Sequence, residues 1–566
     1  MRNTSSFFFQ FIRLAGPFWH SENKVIIQRL ALGLLALTVS QIVISVVINL
    51  WSASLFDALE QRSMSKLFIQ IGIIVLIFLA NMAVTASHLM IKRRLQLLWR
   101  DWLTSRLIGQ WMYDGRHYLV THISGVQHDN PDGRIAEDIR IATEYAVDLL
   151  HSLIFCLLLF LSFTEILWTL SGTLTLDLGL FEVPIYGHLF WLALIYAAGA
   201  SALGWLIGIP LTKATDQRQT VEANFRFALV KARENAQAIA LIQGERHEQP
   251  HFHRLFGGIV AAWDEQTHAW AKIIMFSSGY TVLSMAFPIL VSAPRYILGS
   301  ITLGALMQSA QGFQQLVSAL SWPVDNLAKV AEWRASVERV LGLSKALEQL
   351  EHEIAKPDPH HRIRLEKNQG AVLRFHDLCI SRLDGIVCVS CLNEEIHAGE
   401  WVLIDGNAFT GNKLFKAIAG LWPWGEGSIE LPDDEALFFM PPRPYLPTDT
   451  LRAAICYPSE STAFDQHALE CAFDLAGVKD LLELLDQVGD WEKNLEREQQ
   501  QRLGMVRLLL QNPKWILIQD AFASLDPKAE LIMMDLIRKK LPDSAVLTIS
   551  NQPAIQALHQ RTITVC

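Results

Sequence analysis

The chain has 566 residues, of which 51% are hydrophobic and only 19% are charged. This apolar content is too high for a soluble protein of two or three ordinary domains, so we expect a membrane-embedded region. The net charge of −9 lacks the basic footprint of a nucleic-acid-binding protein. The chain has seven cysteines, and Cys388 and Cys391 form a single C-x-x-C pair with no second pair. We therefore expect core packing there and no metal site.

The N-terminal half predicts a membrane domain. Residues 1–24 mix Phe, Trp and Arg without a signal-peptide cleavage site, which predicts an interfacial elbow helix. Over residues 25–346 we expect six transmembrane helices, because each apolar run is near or above the roughly 20 residues that cross a bilayer. Buried helices of a soluble protein are the alternative. The runs are Ala31–Trp51, Leu67–Leu89, Leu149–Leu170, Leu189–Leu211, Ile273–Val291 and Ile297–Trp322.

Basic residues set the expected orientation. They concentrate in the two long connections, between the second and third runs and between the fourth and fifth runs, and they are rare in the opposite connections. By the positive-inside rule, the N-terminus, the long connections and the C-terminal region are predicted to be cytoplasmic. The outer connection Ser171–His188 contains TLTLDLGLFEVPIYG, which predicts a small hairpin or a reentrant lip.

Polar residues inside the apolar runs are candidates for transport. On the third run they share one face of a helix, and on the sixth run three glutamines repeat at helical spacing. Such stripes usually face a bundle interior or a watery cavity. Helix–helix hydrogen bonds are the alternative for the glutamines, and a salt bridge is the alternative for the deepest carboxylate. The candidates for substrate or proton contact are Asp148, His151, Glu165, Gln308, Gln311 and Gln315.

The C-terminal part changes character. Residues 347–370 are polar and proline-bearing, which predicts a linker, and residues 371–566 alternate short β runs with helical segments, as in an α/β domain. Gly406 and Gly411 have the spacing of the phosphate loop G-x-x-x-x-G-K-[ST], between a strand and a helix. Asn412 replaces its lysine and Lys413 replaces its hydroxyl residue, so the frame is present without its phosphate and Mg²⁺ contacts.

The whole chain resembles an ABC half-transporter of the group that contains bacterial YddA-type proteins, peroxisomal fatty-acyl transporters and BacA/SbmA peptide importers. The segments that carry the resemblance are NPDGRIAEDI (130–139), EANFRFALVKARENAQAIALIQGE (222–245), LGALMQSAQGFQQLVSALSW (303–322), AGLWPWGEGSI (419–429) and PPRPYLPTDTLRAAICYP (441–458). The resemblance implies an α-helical six-helix membrane domain of the ABC exporter type (type IV-like), followed by an α/β nucleotide-binding domain. It also implies a homodimer in a bacterial-type inner membrane, with ATP and Mg²⁺ as the cofactors of the group.

The resemblance also implies that the catalytic motifs are altered. Gln519 and Asp520 stand where similar proteins have Asp and Glu after the hydrophobic strand, for Mg²⁺ and for the attacking water. Glu496 and Glu498 replace the serine and glycine of the signature motif, and two carboxylates there would repel a triphosphate.

Two further changes complete the set. Pro442 replaces the Q-loop glutamine and Asn551 replaces the switch histidine, whereas Asp526 of the D-loop is kept. Each preorganised donor of this kind is worth about 3 kcal/mol in a transition state. We therefore expect little or no ATP hydrolysis, no required cofactor or metal, and a domain that serves as scaffold.

Three functions are compatible with these residues. The first is a proton-coupled transporter of a peptide-like, cobalamin-like or amphiphilic substrate. The second is an ATP-driven ABC transporter with a divergent site, and the third is a non-transporting membrane scaffold or regulator. The sequence does not identify the substrate.

Overall fold

The computed structural model describes residues 7–123, 130–177, 182–355, 362–368, 370, 372–382, 386–406, 408–432, 437–550 and 553–565. It divides into two compact units. Unit 1 comprises Met1–Gln110 and Asp129–Lys345, and unit 2 comprises Trp111–His128 and Ala346–Cys566.

The described helices, in chain order, are α1 (Phe7–Ala15), α2 (Lys24–Glu60), α3 (Met64–Met112), α4 (Arg116–Ile123), α5 (Pro131–Gly133), α6 (Ile139–Ser171), α7 (His188–Glu234), α8 (Ala236–Leu241), α9 (Glu245–Ile297), α10 (Leu303–Asp325), α11 (Leu327–Ala355), α12 (Ala408–Ile418), α13 (Leu451–Cys456), α14 (Gln466–Ala476), α15 (Trp491–Asn494), α16 (Arg497–Gln511), α17 (Pro527–Lys540) and α18 (Pro553–Gln556).

The described strands are β1 (Thr173–Asp177), β2 (Glu182–Tyr186), β3 (Arg364–Asn368), β4 (Val372–Ser381), β5 (Val387–His397), β6 (Trp401–Gly406), β7 (Gly425–Pro432), β8 (Leu437–Met440), β9 (Asp449–Thr450), β10 (Val488–Gly489), β11 (Trp515–Gln519), β12 (Ala545–Ile549) and β13 (Arg561–Val565).

Unit 1 is a bundle of long apolar helices. Within the described residues, five helices are long and apolar enough to cross a membrane, namely α2, α3, α6, α7 and α9. Each contains one of the predicted runs. The sixth run, Ile297–Trp322, begins later than predicted, since α9 ends at Ile297 and α10 covers the 23 residues Leu303–Asp325. Helix α10 packs against α2, α6, α7 and α9, and this central position explains how it accommodates several glutamines.

Helix α1 and the connection between α6 and α7 have the local structures that the sequence predicts, a helix and a hairpin. In α1, Phe8 and Phe9 are exposed, whereas the following Phe18 is fully buried and stacks on Trp99 with ring centroids 5.6 Å apart. An exposed aromatic face beside a buried anchor is typical of an interfacial helix. The predicted hairpin is confirmed, because β1 and β2 pair antiparallel with Thr173 opposite Tyr186.

A buried ion-pair cluster ties the start of α6 to α11. Asp138, which belongs to the segment NPDGRIAEDI, is only 4% exposed. Its Oδ2 accepts hydrogen bonds from Arg339 Nε at 2.8 Å and Arg134 Nη1 at 3.1 Å. Burying a carboxylate is costly unless it is paired in this way, so these residues serve the packing of unit 1.

Unit 2 is an α/β unit, as predicted, with two large sheets and the short pair β9–β10. A parallel five-stranded sheet has the order β13-β6-β12-β11-β8, and a four-stranded sheet has the order β3-β7-β4-β5. One core lies between the two sheets and α12 and includes Trp515 and Phe415, both fully buried. A second core, which includes Phe473 and Met505, lies beneath α13, α14, α16 and α17.

The predicted linker 347–370 is shorter in the structure. Helix α11 continues to Ala355, and β3 already pairs with β7 from Arg364 onward. The α/β unit therefore begins before residue 371. The sequence RLEKN conceals this strand because four of its five side chains are exposed, so the alternation of apolar and polar residues that marks a half-buried strand is missing.

Candidate functional site

The phosphate-loop frame folds as a strand followed almost directly by a helix. Strand β6 ends at Gly406, and α12 begins at Ala408. Most positions between the two glycines are therefore helical, and Gly411 itself lies inside α12. A phosphate cradle needs an open loop whose successive N–H groups converge on the anion. The glycine spacing predicted such a loop, whereas the helix already begins at Ala408, two positions after the end of the strand.

Both glycines are in close contact with neighbouring strands. A Cβ atom on Gly406 would lie 2.5 Å from the carbonyl oxygen of Val565 in β13. A Cβ atom on Gly411 would lie 2.8 Å from Cδ1 of Ile549 in β12. Neither glycine has a positive φ angle. Packing therefore accounts for the glycine at 406, where the neighbour is backbone, and favours one less strongly at 411, where the neighbour is the end of a side chain.

Lys413 is directed toward an aromatic ring. Its Nζ lies 2.8 Å from the centroid of the Trp422 ring, and burial, with the nearby charge of Lys416, lowers the pKa of Lys413 to about 8. The indole of Trp422 is itself fixed, because its Nε1 donates to Ser381 O at 2.9 Å. The neighbouring Asn412 is half-buried in α12. A cation–π contact of this kind orients the ammonium group toward the ring face.

The carboxylate of Asp520, directly after β11, lies in a setting with few polar groups. Gln519 is the last residue of the strand and pairs with Ile549. Asp520 follows with a φ of 43°, and its side chain has no hydrogen-bond or ion-pair partner among the described residues. Burial raises the pKa of Asp520. This carboxylate is therefore disfavoured in its ionised form.

The signature segment uses its carboxylates within its own helix. Glu496 is the N-cap of α16, and its backbone N–H donates to Gln499 Oε1 at 3.1 Å as part of a capping box. Glu498 pairs with Arg502 at 2.9 Å, four residues on. A carboxylate at a helix N-terminus is stabilised by the helix dipole. The same end of α16 is thereby made less favourable for another anion.

The residues kept from the signature hold unit 2 together. Gln501 is 4% exposed, and its Nε2 donates to the carbonyl of Pro442 at 3.1 Å. Its Oε1 accepts from the backbone N–H of Ser524 at 2.9 Å. The predicted Q-loop and D-loop positions are thus brought together through one buried amide. The side chain of Pro442 is exposed.

Asp526 has a capping function. Its Oδ1 accepts from the backbone N–H groups of Lys528 and Ala529, both at 2.9 Å, at the start of α17. These N–H groups lower the pKa of the Asp526 carboxyl, with the bond from Ala529 as the largest cause. Asn551, the predicted switch position, lies outside the described residues.

Two membrane-helix candidates lie in a polar cluster. His151 Nε2 in α6 lies 2.7 Å from His88 Nε2 in α3, and His88 is 7% exposed. One ring nitrogen must donate and the other accept, so this bond forms with at most one of the two rings protonated. His88 was not predicted as a site residue.

Asp148, one turn away from His151, is fully paired. Its Oδ1 lies 3.2 Å from Lys92 Nζ and accepts from Gln96 Nε2 at 2.9 Å. Its Oδ2 lies 3.0 Å from Lys329 Nζ in α11. Two lysines keep this carboxylate ionised, which does not fit a group that binds and releases a proton. The four-residue spacing of His88, Lys92 and Gln96 is the signal that could have identified this face of α3.

Glu165 lies apart from this cluster. Its side chain is exposed on α6 and has no partner among the described residues. The structure therefore does not bring Glu165 together with His151 and Asp148, although the helical period places all three near one face of α6. A helix of 33 residues is long enough for its two ends to meet different neighbours.

The glutamines of α10 have different surroundings. Asn49 Nδ2 in α2 donates to the carbonyl of Gln308 at 3.1 Å, and Gln311 Nε2 donates to Ser52 Oγ at 2.9 Å. The Gln311 side chain thus makes the kind of helix–helix bond left open by the sequence, whereas Gln308 contributes only its backbone carbonyl. Gln315 is exposed and remains a candidate for contact with substrate or a partner.

Comparison with known proteins identifies the family. Residues 17–297 match the family "ABC transporter transmembrane region 2". The chain is 27% identical over 556 residues to the inner membrane ABC transporter ATP-binding protein YddA of Escherichia coli (strain K12), covering 96% of this chain and 95% of that protein. Over nearly its whole length the chain is similar to ABC half-transporters.

Further similarities extend the comparison of this half-transporter. ABC transporter D family member 2, chloroplastic, of Arabidopsis thaliana is 25% identical over 98% of this chain and 84% of that protein. The structure of a bacterial Atm1-family ABC exporter with ATP bound matches with a TM-score of 0.67 at 14% identity, over 96% of this chain and 94% of that chain. This last likeness concerns the fold alone and agrees with the predicted exporter architecture. The half-transporter is an integral membrane protein.

Proposed function

We propose that this half-transporter acts as a homodimer in a bacterial-type inner membrane, with its N-terminus and unit 2 in the cytoplasm. It moves a peptide-like, cobalamin-like or amphiphilic substrate, and the proton gradient supplies the energy. The observation that carries the proposal is the signature helix α16, where Glu496 and Glu498 place two carboxylates in its cap and first turn.

The residues of unit 2 do not fit a Mg²⁺–triphosphate. The segment between Gly406 and Gly411 is mostly helical, and Lys413 lies on Trp422. Asp520 has a raised pKa, and Gln519 supplies no charge for a metal ion. Phosphoryl transfer depends on positioning and electrostatic stabilisation. Two or more missing groups at about 3 kcal/mol each would reduce the rate by four orders of magnitude or more.

The membrane unit supports a proton-linked function. His151 and His88 form a close pair whose bond depends on protonation, and Glu165 is a carboxylate on an apolar helix with no side-chain partner in the described part of the chain. Intramembrane ionisable residues usually belong to a transport pathway or a proton relay. In the proposed mechanism the role of Asp148 is structural, because Lys92 and Lys329 neutralise its charge.

Two alternative functions are compatible with the same residues. Several relatives are named ATP-binding proteins, which favours an ATP-driven transporter with a divergent site. A well-packed unit 2 without catalysis would also suit a non-transporting scaffold or regulator.

The first test measures ATP hydrolysis. We expect the purified protein in lipid nanodiscs to show background turnover with Mg²⁺-ATP, and Gln519→Ala and Asp520→Ala to leave that background unchanged. Turnover typical of ABC transporters, between about 1 and 100 per second by analogy with other phosphoryl-transfer enzymes, and lost in either variant, would establish the ATP-driven alternative.

The second test measures proton coupling in proteoliposomes. The probes are a fluorescent oligopeptide and a labelled cobalamin, with an imposed pH gradient and without nucleotide. We expect gradient-driven uptake of one probe that is lost in His151→Gln or Glu165→Gln. Each variant keeps hydrogen-bonding capacity but cannot ionise. Equal responses to the gradient in the parent and in both variants would remove both residues from the coupling mechanism, and no uptake of either probe would favour the scaffold.

A further inference from the structure

Unit 2 contains a small cavity beside α16. Its volume is about 210 Å³, below the roughly 300–1,000 Å³ of sites that hold drug-sized ligands. Apolar side chains at the end of β8 and in the segment after it form much of the wall, and Gln501, Gly504 and Arg507 of α16 complete it. Gln501 is neutral, and its amide already bonds to Pro442 and Ser524. Arg507 is the cationic group of this wall.

Arg507 is a buried arginine without an acidic partner. It is 9% exposed, and among the described residues no carboxylate lies within salt-bridge distance of it. Its Nη2 donates to the carbonyls of Tyr445 at 3.0 Å and Ala454 at 2.5 Å. Its Nε is buried and has no hydrogen-bond acceptor in the described ranges of the chain. Carbonyl oxygens satisfy part of the guanidinium, but they do not balance its charge.

We propose that this cavity binds a small organic anion, with its carboxylate on Arg507 and its hydrocarbon or aromatic body against the apolar wall. A guanidinium is suited to a carboxylate because its N–H groups form a planar fork. The wall residues Phe438, Met440 and Pro444 offer no competing charge, so the anionic group has one place to bind. The size of the cavity excludes a nucleotide, and the site is independent of the proposed transport mechanism.

The cavity lies next to two of the altered motif positions. Pro441 and Ala521 both line it, and they are the direct neighbours of Pro442 and Asp520. A bound anion would therefore contact the chain next to both altered motif positions. Ligand that binds only the folded state stabilises it by mass action, so occupancy is measurable as thermal stability.

The test uses the full-length protein in detergent micelles, with sodium benzoate as the probe. Benzamide, a neutral molecule of similar shape, and inorganic phosphate, an anion without an apolar body, are the comparison ligands. We expect a saturable rise in Tm with benzoate, confirmed by isothermal titration calorimetry. Affinity for benzamide should be about 10- to 100-fold lower, because hydrogen bonds to charged groups carry that much binding.

Two variants locate the binding. A Cβ atom at Gly504 would lie 3.7 Å from Pro444 and 4.0 Å from Met440 Cε, so Gly504→Ala fits the fold and reduces the cavity without touching Arg507. We expect it to weaken benzoate binding, and Arg507→Gln to abolish the preference for benzoate over benzamide. Arg497→Gln, at an exposed position of the same helix, is the control for loss of one positive charge.

Three results would overturn the proposal. Absence of saturable binding, equal binding of benzoate and benzamide, or full benzoate binding in Gly504→Ala would each exclude the site. If Arg507→Gln does not fold, the parent and Gly504→Ala still decide the matter. Hydrolysis of ATP is not involved in any of these measurements, so failure here leaves the proposed transport function untouched.

Discussion

Asp520 and Asp526 are two carboxylates on one loop whose pKa values shift in opposite directions. Burial raises the pKa of Asp520, whereas the N–H groups at the start of α17 lower the pKa of Asp526. A group with a raised pKa in the folded state stabilises folding below its unfolded pKa, and this contribution is lost as the pH rises. A lowered pKa has the opposite effect. Neighbouring acids in this loop therefore make opposite contributions to pH-dependent stability.

We predict that Asp520→Asn raises the Tm of the protein at pH 7 and has little effect near pH 4. The amide has nearly the same shape and tolerates the positive φ of 43° at this position, but it cannot ionise. Asp526→Ala should act in the reverse sense, with a loss of Tm at pH 7 that shrinks in acid because the cap is then already protonated. Thermal unfolding between pH 4 and 8 checks both, and a fall in Tm for Asp520→Asn at pH 7 would contradict the first.

At the scale of elements, the β6–α12 connection separates a sequence pattern from the structure it usually specifies. The spacing of Gly406 and Gly411 is that of a phosphate loop, but α12 begins at Ala408 and both glycines lie against neighbouring strands. Glycine permits such close approach because it has no Cβ. The pattern can thus persist for packing after its phosphate contacts are gone.

We predict that Gly406→Ala destabilises unit 2 by about 1–3 kcal/mol, since the methyl group would overlap a backbone carbonyl that cannot move independently. Gly411→Ala should cost less, because its neighbour is the end of the flexible Ile549 side chain and alanine favours a helix. The control is Gly257→Ala in α9, where nothing lies within 4 Å of the added carbon. Chemical denaturation of the three variants measures the order, and equal loss at Gly406 and Gly257 would refute the packing argument.

The helices and strands were easier to predict from the sequence than the contacts between them. Five of the six predicted apolar runs lie in described helices that are both long and apolar enough to span a membrane, because a long apolar run constrains a helix locally. The strand β3 was missed, since its exposed residues carry no periodic signal. The pair His88–His151 joins residues 63 positions apart, and although the spacing of His88, Lys92 and Gln96 marks one face of α3, nothing local in the sequence specifies that this face meets α6. Likewise, the helical period grouped Glu165 with His151, whereas burial separates them.

At the scale of the whole molecule, polar groups on the surface of the membrane helices indicate an additional neighbour. Glu165 and Gln315 are exposed in the single chain, although both lie on helices made largely of apolar residues. Exposure of a carboxylate to lipid is expensive, so we expect these groups to face a water-filled space or a second protomer. The chain also supplies one membrane unit and one α/β unit, which is half of an ABC transporter.

We therefore predict a homodimer that persists without nucleotide. If ATP is not the link between the two copies, chelation of Mg²⁺ and removal of nucleotide should leave the particle at twice the mass of one chain. Native mass spectrometry from nanodiscs measures the mass of the particle. Co-purification of two differently tagged copies from one cell shows whether two chains assemble with each other.

Two variants distinguish the explanations for the exposure of Glu165 and Gln315. Glu165→Ala and Gln315→Ala should keep the dimer if these residues face water and weaken it if they contact the partner. A single chain that transports in nanodiscs would contradict the prediction, because one membrane unit would then have to shield both polar groups from lipid on its own.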